Sequence, residues 1–437
     1  MESAFRCDNL TQRLSENSDK RFFYLQGLIH WQPLLFFGMF ALVLAAFALL
    51  VFWLWMRSSV VLFDSVRSVQ SSDHLFFAWL WPFWRVLILT DADNITHFAK
   101  TQARNNRVSS FSAVLGRGWK HVGASMLGGC DADRHEELAA VFKPAINRAF
   151  ANCKDAIREA VDDFVDRLPD DVELGPGVFD SLIADVLSLV VFGARHPEVS
   201  RFCKLHRKLV LPLLGDWKAR LPCLRRREVE RVSHFVEVEF AGFLEKTKFD
   251  ENSVVSQALQ GGNISKKEFV HTMYELLFFN VDIGEGEILG LCVELSRHRD
   301  LLNDDNVHAF INEAARLHPG VEVSFPEELG EDTVFSGKRF PKGTFVSFDA
   351  VKYNLRLGAD FNPSRSGTFY RFGLGSRSCA GQSIARFLLR TFLSCVVSRF
   401  DFCVLDEAGN SQNRSGLSTM VPSNRFGRIV LKRKRQK

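Results

Sequence analysis

Phe372-Gly373-Leu374-Gly375-Ser376-Arg377-Ser378-Cys379-Ala380-Gly381 places one cysteine inside a glycine-rich loop that runs straight into an apolar stretch of helical character. A thiolate is a strong donor to iron, and glycines at 373, 375 and 381 remove the side chains that would keep a flat macrocycle off the backbone. Arg377, two positions before the cysteine, offers a fork of donors to a carboxylate such as a haem propionate. Cys379 therefore reads as a metal ligand and the loop as a haem cradle.

Outward from the loop, Ser265 and Glu268 make a capping box, and helical spacing continues from there to about His298. About 33 residues make roughly 50 Å of helix, long enough to run through a whole domain. Its first half is apolar, and then come Asn280, Asp282, Gly284, Glu285 and Gly286. Glycines and polar groups inside a buried helix weaken it, so a local break is expected there. Further on, Glu313-Ala314-Ala315-Arg316 puts two opposite charges on one helix face, ended by His318-Pro319-Gly320.

The cysteine segment resembles the haem-binding signature of the cytochrome P-450 family, Phe-x-x-Gly-x-Arg-x-Cys-x-Gly, matching at Phe372, Gly375, Arg377, Cys379 and Gly381, with the family's preferred alanine at Ala385. The resemblance implies haem b with Cys379 as the axial iron ligand. It implies that the long helix crosses the oxygen face, Phe279-Asn280-Val281-Asp282-Ile283-Gly284 aligning with Ala/Gly-Gly-x-Asp/Glu-Thr-Thr. The acid is present as Asp282 and the threonines are not. The Asn-x-Asp form looks like a variant of filamentous-fungal members, in which an alcohol follows two residues after the acid, a place taken here by Gly284. Proton delivery then falls to Asp282, Glu285, water or a substrate group. Glu313 and Arg316 resemble the family's Glu-x-x-Arg, completed by Arg365 in Phe361-Asn362-Pro363-Ser364-Arg365, a triad that supports the cysteine loop. Where the family has Trp-x-x-x-Arg for propionate contacts, this chain has His135 and Ala139.

The activity implied is O2-dependent oxidation of an apolar small molecule, in specialised metabolism. No flavin- or nicotinamide-binding glycine fingerprint is present, so electrons come from a partner, and the resemblance implies a membrane-bound NADPH-dependent cytochrome reductase. Lys143, Arg386 and Arg390 are candidates to meet its acidic surface. The missing threonine also admits a haem-thiolate isomerase or peroxygenase-type enzyme. The altered segment before the cysteine admits a catalytically degenerate haem-binding membrane protein.

Composition agrees with an interior rich in dry surface: 41 phenylalanines stand against four tyrosines. A net charge of +4 without interleaved basic and aromatic stripes is too mild to argue for nucleic acid, and no nucleic-acid partner is expected. Nine scattered cysteines with no Cys-x-x-Cys pair argue against a disulfide framework or zinc site. Trp31 to Met56 carries no charge, and at about 1.5 Å per residue these 26 residues cross a core of about 30 Å. It reads as an uncleaved transmembrane anchor in contact with lipid, and microsomal relatives imply the endoplasmic reticulum with a cytosolic catalytic domain. The apolar run from Leu75 to Leu89 suits either a headgroup-level segment or a buried piece of the domain. Helical spacing is expected over about 135–168, 178–191 and 228–244, with strand-like runs at 321–325, 345–348 and 428–431. The expected organisation is an N-terminal segment over 1–30, an anchor over 31–56 and one haem-binding domain over 57–437. Its fold is mainly α, an α-rich α+β arrangement with small sheets.

Overall fold

The computed structural model describes residues 40–51, 75–81, 84–101, 104–107, 119–126, 131–175, 177–210, 213, 225–260, 263–404 and 429–435. The chain divides into two compact units, residues 1–57 and 58–437. In the first, residues 40–51 form a helix whose apolar side chains, Phe40, Leu42 and Phe47 among them, are exposed. The rest of the expected 31–56 anchor, and all of 1–30, lies outside the described residues. Among the described residues no helix is long and apolar enough to cross a membrane. The 40–51 helix accounts for about 18 Å of the expected anchor.

In the second unit the elements are, in order, β1 (Leu75–Trp81), β2 (Trp84–Leu89), α1 (Ala92–Thr101), α2 (Trp119–Val122), α3 (Ala132–Arg167), β3 (Asp171–Leu174), α4 (Asp180–Phe192) and α5 (Pro197–Leu209). There follow α6 (Arg226–His234), a π-helical stretch (Phe235–Phe240), α7 (Ala241–Lys246), α8 (Val254–Gln260), α9 (Lys266–Tyr274), a π-helical turn (Glu275–Phe279), α10 (Asn280–His298) and α11 (Val307–Leu317). The remainder holds β4 (Glu327–Glu328), β5 (Thr333–Phe335), β6 (Lys338–Phe340), β7 (Phe345–Phe348), α12 (Ala350–Leu355), α13 (Gln382–Arg399), β8 (Phe400–Val404) and β9 (Ile429–Arg433).

The 75–89 run is a hairpin within a four-stranded sheet ordered β1-β2-β7-β4. Val86, Leu87, Ile88 and Leu89 are all buried, as a strand covered on both faces requires, and β2 pairs in parallel with β7 from Val86 opposite Phe345. The strand-like 321–325 stretch makes only one bridge, Val323 to Asp349. Pro326 has no N–H to give a ladder, so regular pairing begins after it, at Glu327. The expected strands at 345–348 and 428–431 are β7 and β9, the latter between β3 and β8.

The long helix forms as α9, the π turn and α10. Ser265 and Glu268 complete the capping box. The Glu268 carboxylate also accepts from Arg134 Nε at 2.7 Å and Nη2 at 2.9 Å, fastening the start of the rod to the start of α3. The expected break occurs one turn earlier than the glycines, in the π turn. Phenylalanine-rich packing surrounds it: Phe202, Phe235, Phe240, Tyr274 and Phe278 make a ring-on-ring cluster with centroids 4.9 to 6.3 Å apart.

Candidate functional site

The cysteine loop is shaped by its own backbone. Gly373 and Gly375 adopt φ of +77° and +60°, where a side chain is strained, and a Cβ on Gly373 would stand 3.0 Å from the Arg377 carbonyl oxygen. Gly375–Arg377 forms a 3-10 turn, and the Cys379 N–H donates to Phe372 O at 2.6 Å, closing the loop. A Cβ on Gly381 would lie 3.8 Å from Cys379 Sγ, so bulk there would grow beside the sulfur. α13 opens at Gln382, which sets the sulfur at the positive end of a helix, where a thiolate is favoured. Cys379 is exposed, yet burial pushes its thiol pKa up.

Neighbours fix the loop from several sides. Lys143 Nζ donates to Ser376 O at 3.1 Å and Arg377 Nη2 to Asn105 O at 3.0 Å. The Phe372 ring lies under two guanidinium groups, Arg371 at 4.5 Å and Arg386 at 5.1 Å. Arg371 in turn pairs with Glu287 of α10 and donates to Asn312 of α11, tying the loop to the long helix. His135, buried on α3, bonds through Nδ1 to Met126 O at 2.7 Å, and its Nε2 has no hydrogen-bond partner among the described residues. Burial first, and then the positive charge of Arg377, Arg107 and Lys143, pushes its pKa down to about 4. These residues fit haem: an exposed thiol, a glycine backbone that admits a flat ring, and the Arg377 guanidinium as a donor to an acidic side arm.

Behind the loop, Glu313 and Arg316 form a buried bidentate pair, at 2.7 Å (Nε–Oε2) and 2.8 Å (Nη2–Oε1), and Arg365 Nε donates to Glu313 Oε1 at 3.3 Å. Arg316 also holds the carbonyls of Asn354, Gly358 and Asp360. The Asn354 side chain carries the connection on, donating to Tyr370 O at 2.8 Å and accepting from Tyr370 N at 2.7 Å, one residue before Arg371 and the loop.

On the long helix the π turn releases backbone carbonyls, and the Asn280 amide takes them, donating to Leu276 O at 3.0 Å and Glu275 O at 3.3 Å. Leu276, Phe279, Asn280, Ile283 and Gly284, at i, i+3, i+4, i+7 and i+8, are half-buried on an otherwise buried rod. Glu275 and Glu287, at either end of this stretch, add to the raised Cys379 thiol pKa, so the rod passes within electrostatic reach of the sulfur. Asp282 and Glu285 do come together, but on Arg207 of α5: Arg207 Nη2 is 2.7 Å from Asp282 Oδ1 and 2.7 Å from Glu285 Oε2. Glu285 also accepts from Gly177 N. Burial pushes the Asp282 pKa up to about 7 against the pull of Arg207.

Sequence reading missed Arg207, Asp180, Glu287 and Asn354. Each sits far along the chain from the motif it serves and none carries a local pattern.

Comparison with known proteins bears on this geometry. The family profile described as Cytochrome P450 matches residues 300–427. Cytochrome P450 monooxygenase aclC of Aspergillus oryzae is 27% identical over 179 residues, 33% of this chain and 37% of that protein. Cytochrome P450 monooxygenase gliC of Aspergillus fumigatus is 27% identical over 38% of this chain and 40% of its own length. The chain thus spans less than half the length of these curated relatives. Among solved structures, a cyanobacterial P450 with retinoic acid bound, CYP120A1, superposes with a TM-score of 0.68 at 17% identity, covering 85% of this chain and 94% of that one. CalO2 superposes at 0.67 and 17%, covering 85% and 95%. At such identities the superpositions speak for the fold.

Proposed function

We propose that the chain is a cytochrome P450, a haem-thiolate monooxygenase that oxidises an apolar small molecule in specialised metabolism, a reading supported by the family profile, the curated relatives and the solved structures it resembles. The observation that carries this reading is the exposed Cys379 on a closed glycine loop, within electrostatic reach of the long helix. Cys379 would hold the iron of haem b. Phe372, Gly375 and Gly381 shape the space for the ring, and Arg377 and His135 would receive its acidic side arms. Bound there, the haem supplies the iron chemistry that activates dioxygen.

The chain's own part is to bind, shield and manage protons. The half-buried apolar stripe of Leu276, Phe279 and Ile283 suits a substrate with little polarity. Asp282, with its pKa up at about 7, both holds and releases a proton near neutrality, the property asked of a general acid or base. Glu285 anchors Arg207 beside it. Electrons come from an NADPH-dependent reductase whose acidic face meets Lys143, Arg386 and Arg390. The apolar 40–51 helix belongs to an N-terminal anchor that keeps the enzyme at the endoplasmic reticulum membrane, in contact with lipid.

A second reading, a peroxygenase or isomerase that bypasses dioxygen activation, is favoured by one observation: residues 276 to 286 hold no hydroxyl side chain, and Ile283 follows the acid. The test is the carbon monoxide difference spectrum of the reduced, haem-loaded protein, followed by turnover with reductase and NADPH or with peroxide alone. A red-shifted thiolate band, lost in Cys379→Ala, and reductase-driven turnover are expected. An unchanged band in Cys379→Ala would remove the sulfur from its role, and turnover with peroxide alone would select the second reading.

A further inference from the structure

Between α4, α5 and α10 lies a charge imbalance that the haem pocket does not explain. One nitrogen, Arg207 Nη2, stands 2.7 Å from three carboxylate oxygens: Asp180 Oδ1, Asp282 Oδ1 and Glu285 Oε2. It carries two hydrogens. Among the described residues only Glu285 receives one in hydrogen-bonding geometry, while Asp180 Oδ1, Asp282 Oδ1 and Arg207 Nε have no hydrogen-bond partner there. Three negative charges against one positive, in so little space, cannot all stay ionised. Both oxygens of Glu285 already accept hydrogen bonds, since the Gly177 and Phe179 N–H groups donate to its Oε1. That leaves Asp180 and Asp282 to share a proton.

The other groups facing the cluster do not balance it. Lys204 of α5 acts on Asp180 only at a distance. His206, beside Arg207, is buried and bonds through Nδ1 to Tyr274 at 2.5 Å, and its pKa is pushed down to about 3, so it brings no charge. Cys203 and Tyr274 are neutral, their pKa values raised by burial. The two aspartates also differ in depth: the Asp180 side chain is 13% exposed and that of Asp282 4%. The shared proton thus has an outer seat on the first turn of α4 and an inner one on the long helix.

We infer that Asp180 is a positioning residue for proton handling: it shares one proton with Asp282 across Arg207, forms the solvent-side seat, and sets the pH at which Asp282 releases that proton. Whichever of the two carboxylates holds the proton, the cluster's total charge is the same. The use made of the proton rests on the function proposed above; the sharing is a property of the folded chain and is tested separately.

The experiment is a pH titration of the haem-loaded full chain followed by infrared absorption of protonated carboxyl groups, with the Asp282 band identified by its loss in Asp282→Asn. The wild-type band is expected to titrate near neutrality. In Asp180→Asn the midpoint should fall by roughly one unit, because a like charge has been removed and Arg207 is left to fewer partners. Asp180→Glu, which keeps the charge, should restore it, and the pH profile of turnover should move with the infrared midpoint. Should Asp180→Asn fail to fold, Asp180→Ser provides the same reading. A midpoint unchanged without the Asp180 charge, or one as low in Asp180→Glu as in Asp180→Asn, would overturn the inference. Absence of reductase-driven turnover in the wild type would instead strike the proposed function and leave the infrared midpoint to decide.

Discussion

Arg316 is among the largest side chains hidden completely in the core, 1% exposed, and a guanidinium so placed survives only if all five of its N–H groups are used. They are: Nε and one Nη2 hydrogen go to Glu313, and the rest to the carbonyls of Asn354, Gly358 and Asp360. Arg316→Lys keeps the charge but lacks the fork, and breaking a buried pair of this kind costs about 3–5 kcal/mol. Urea unfolding should show that loss, and because Asn354 links the pair to Tyr370, the variant should also retain haem less well on gel filtration. Wild-type stability in Arg316→Lys would mean that the fork is dispensable. Glu313 and Arg316 were legible in the sequence because an i, i+3 pair is local. Asn354 was not: it gains its meaning from a carbonyl 38 residues away.

On the scale of the element, the long helix shows how a correct pattern can misplace its own irregularity. Gly284 and Gly286 pointed to a break at the middle. The irregularity lies at Glu275–Phe279 instead, and Gly284 answers a packing need: a Cβ there would meet Ile183 at 3.3 Å. Asn280 is what makes the π turn tenable, since its amide occupies carbonyls that the widened turn leaves over. Asn280→Ala should therefore destabilise by about 1–3 kcal/mol, the cost of a buried carbonyl left unmade. Faster amide hydrogen exchange confined to about 275–284 is the accompanying signature. Exchange unchanged over that stretch would show that the turn holds without the amide. The 75–89 run failed for a related reason. A short apolar segment reads alike as headgroup-level chain or covered strand, and only its pairing with β7, more than 250 residues later, decides it.

Across the whole molecule, three histidines are built into the core as neutral rings, and they govern how the fold answers acid. His135, His206 and His271 are buried. Burial, with Arg377, Arg207 and Lys267 respectively adding to it, pushes their pKa values down to about 4, about 3 and about 4. His271 Nδ1 accepts from Ala124 N–H at 2.9 Å, a bond that protonation of that nitrogen would break. Each is a base whose folded pKa lies below its unfolded value of about 6.5, so the unfolded chain binds protons the native one refuses, and stability is lost as pH falls below about 6.5. Asp282 works in the opposite sense. Its folded value of about 7 exceeds the unfolded value of about 3.9, so between them the native chain holds a proton that unfolding releases. Between roughly pH 4.5 and 6 the three protons gained on unfolding, less the one at Asp282, leave at most two, a slope of up to about 2.7 kcal/mol per pH unit. Asp180 and Asp185, whose pKa values burial also raises, soften it further. Glu268 acts lower still: drawn down to about 2 by its bond to Arg134, its contribution is lost as pH falls from about 4.3 toward that value. Urea midpoints should accordingly peak near neutrality and drop steeply toward about pH 4.5, the drop shrinking in His206→Leu and steepening in Asp282→Asn. A stability profile flat from about pH 5 to about pH 7 would mean that these rings accept protons without leaving the core.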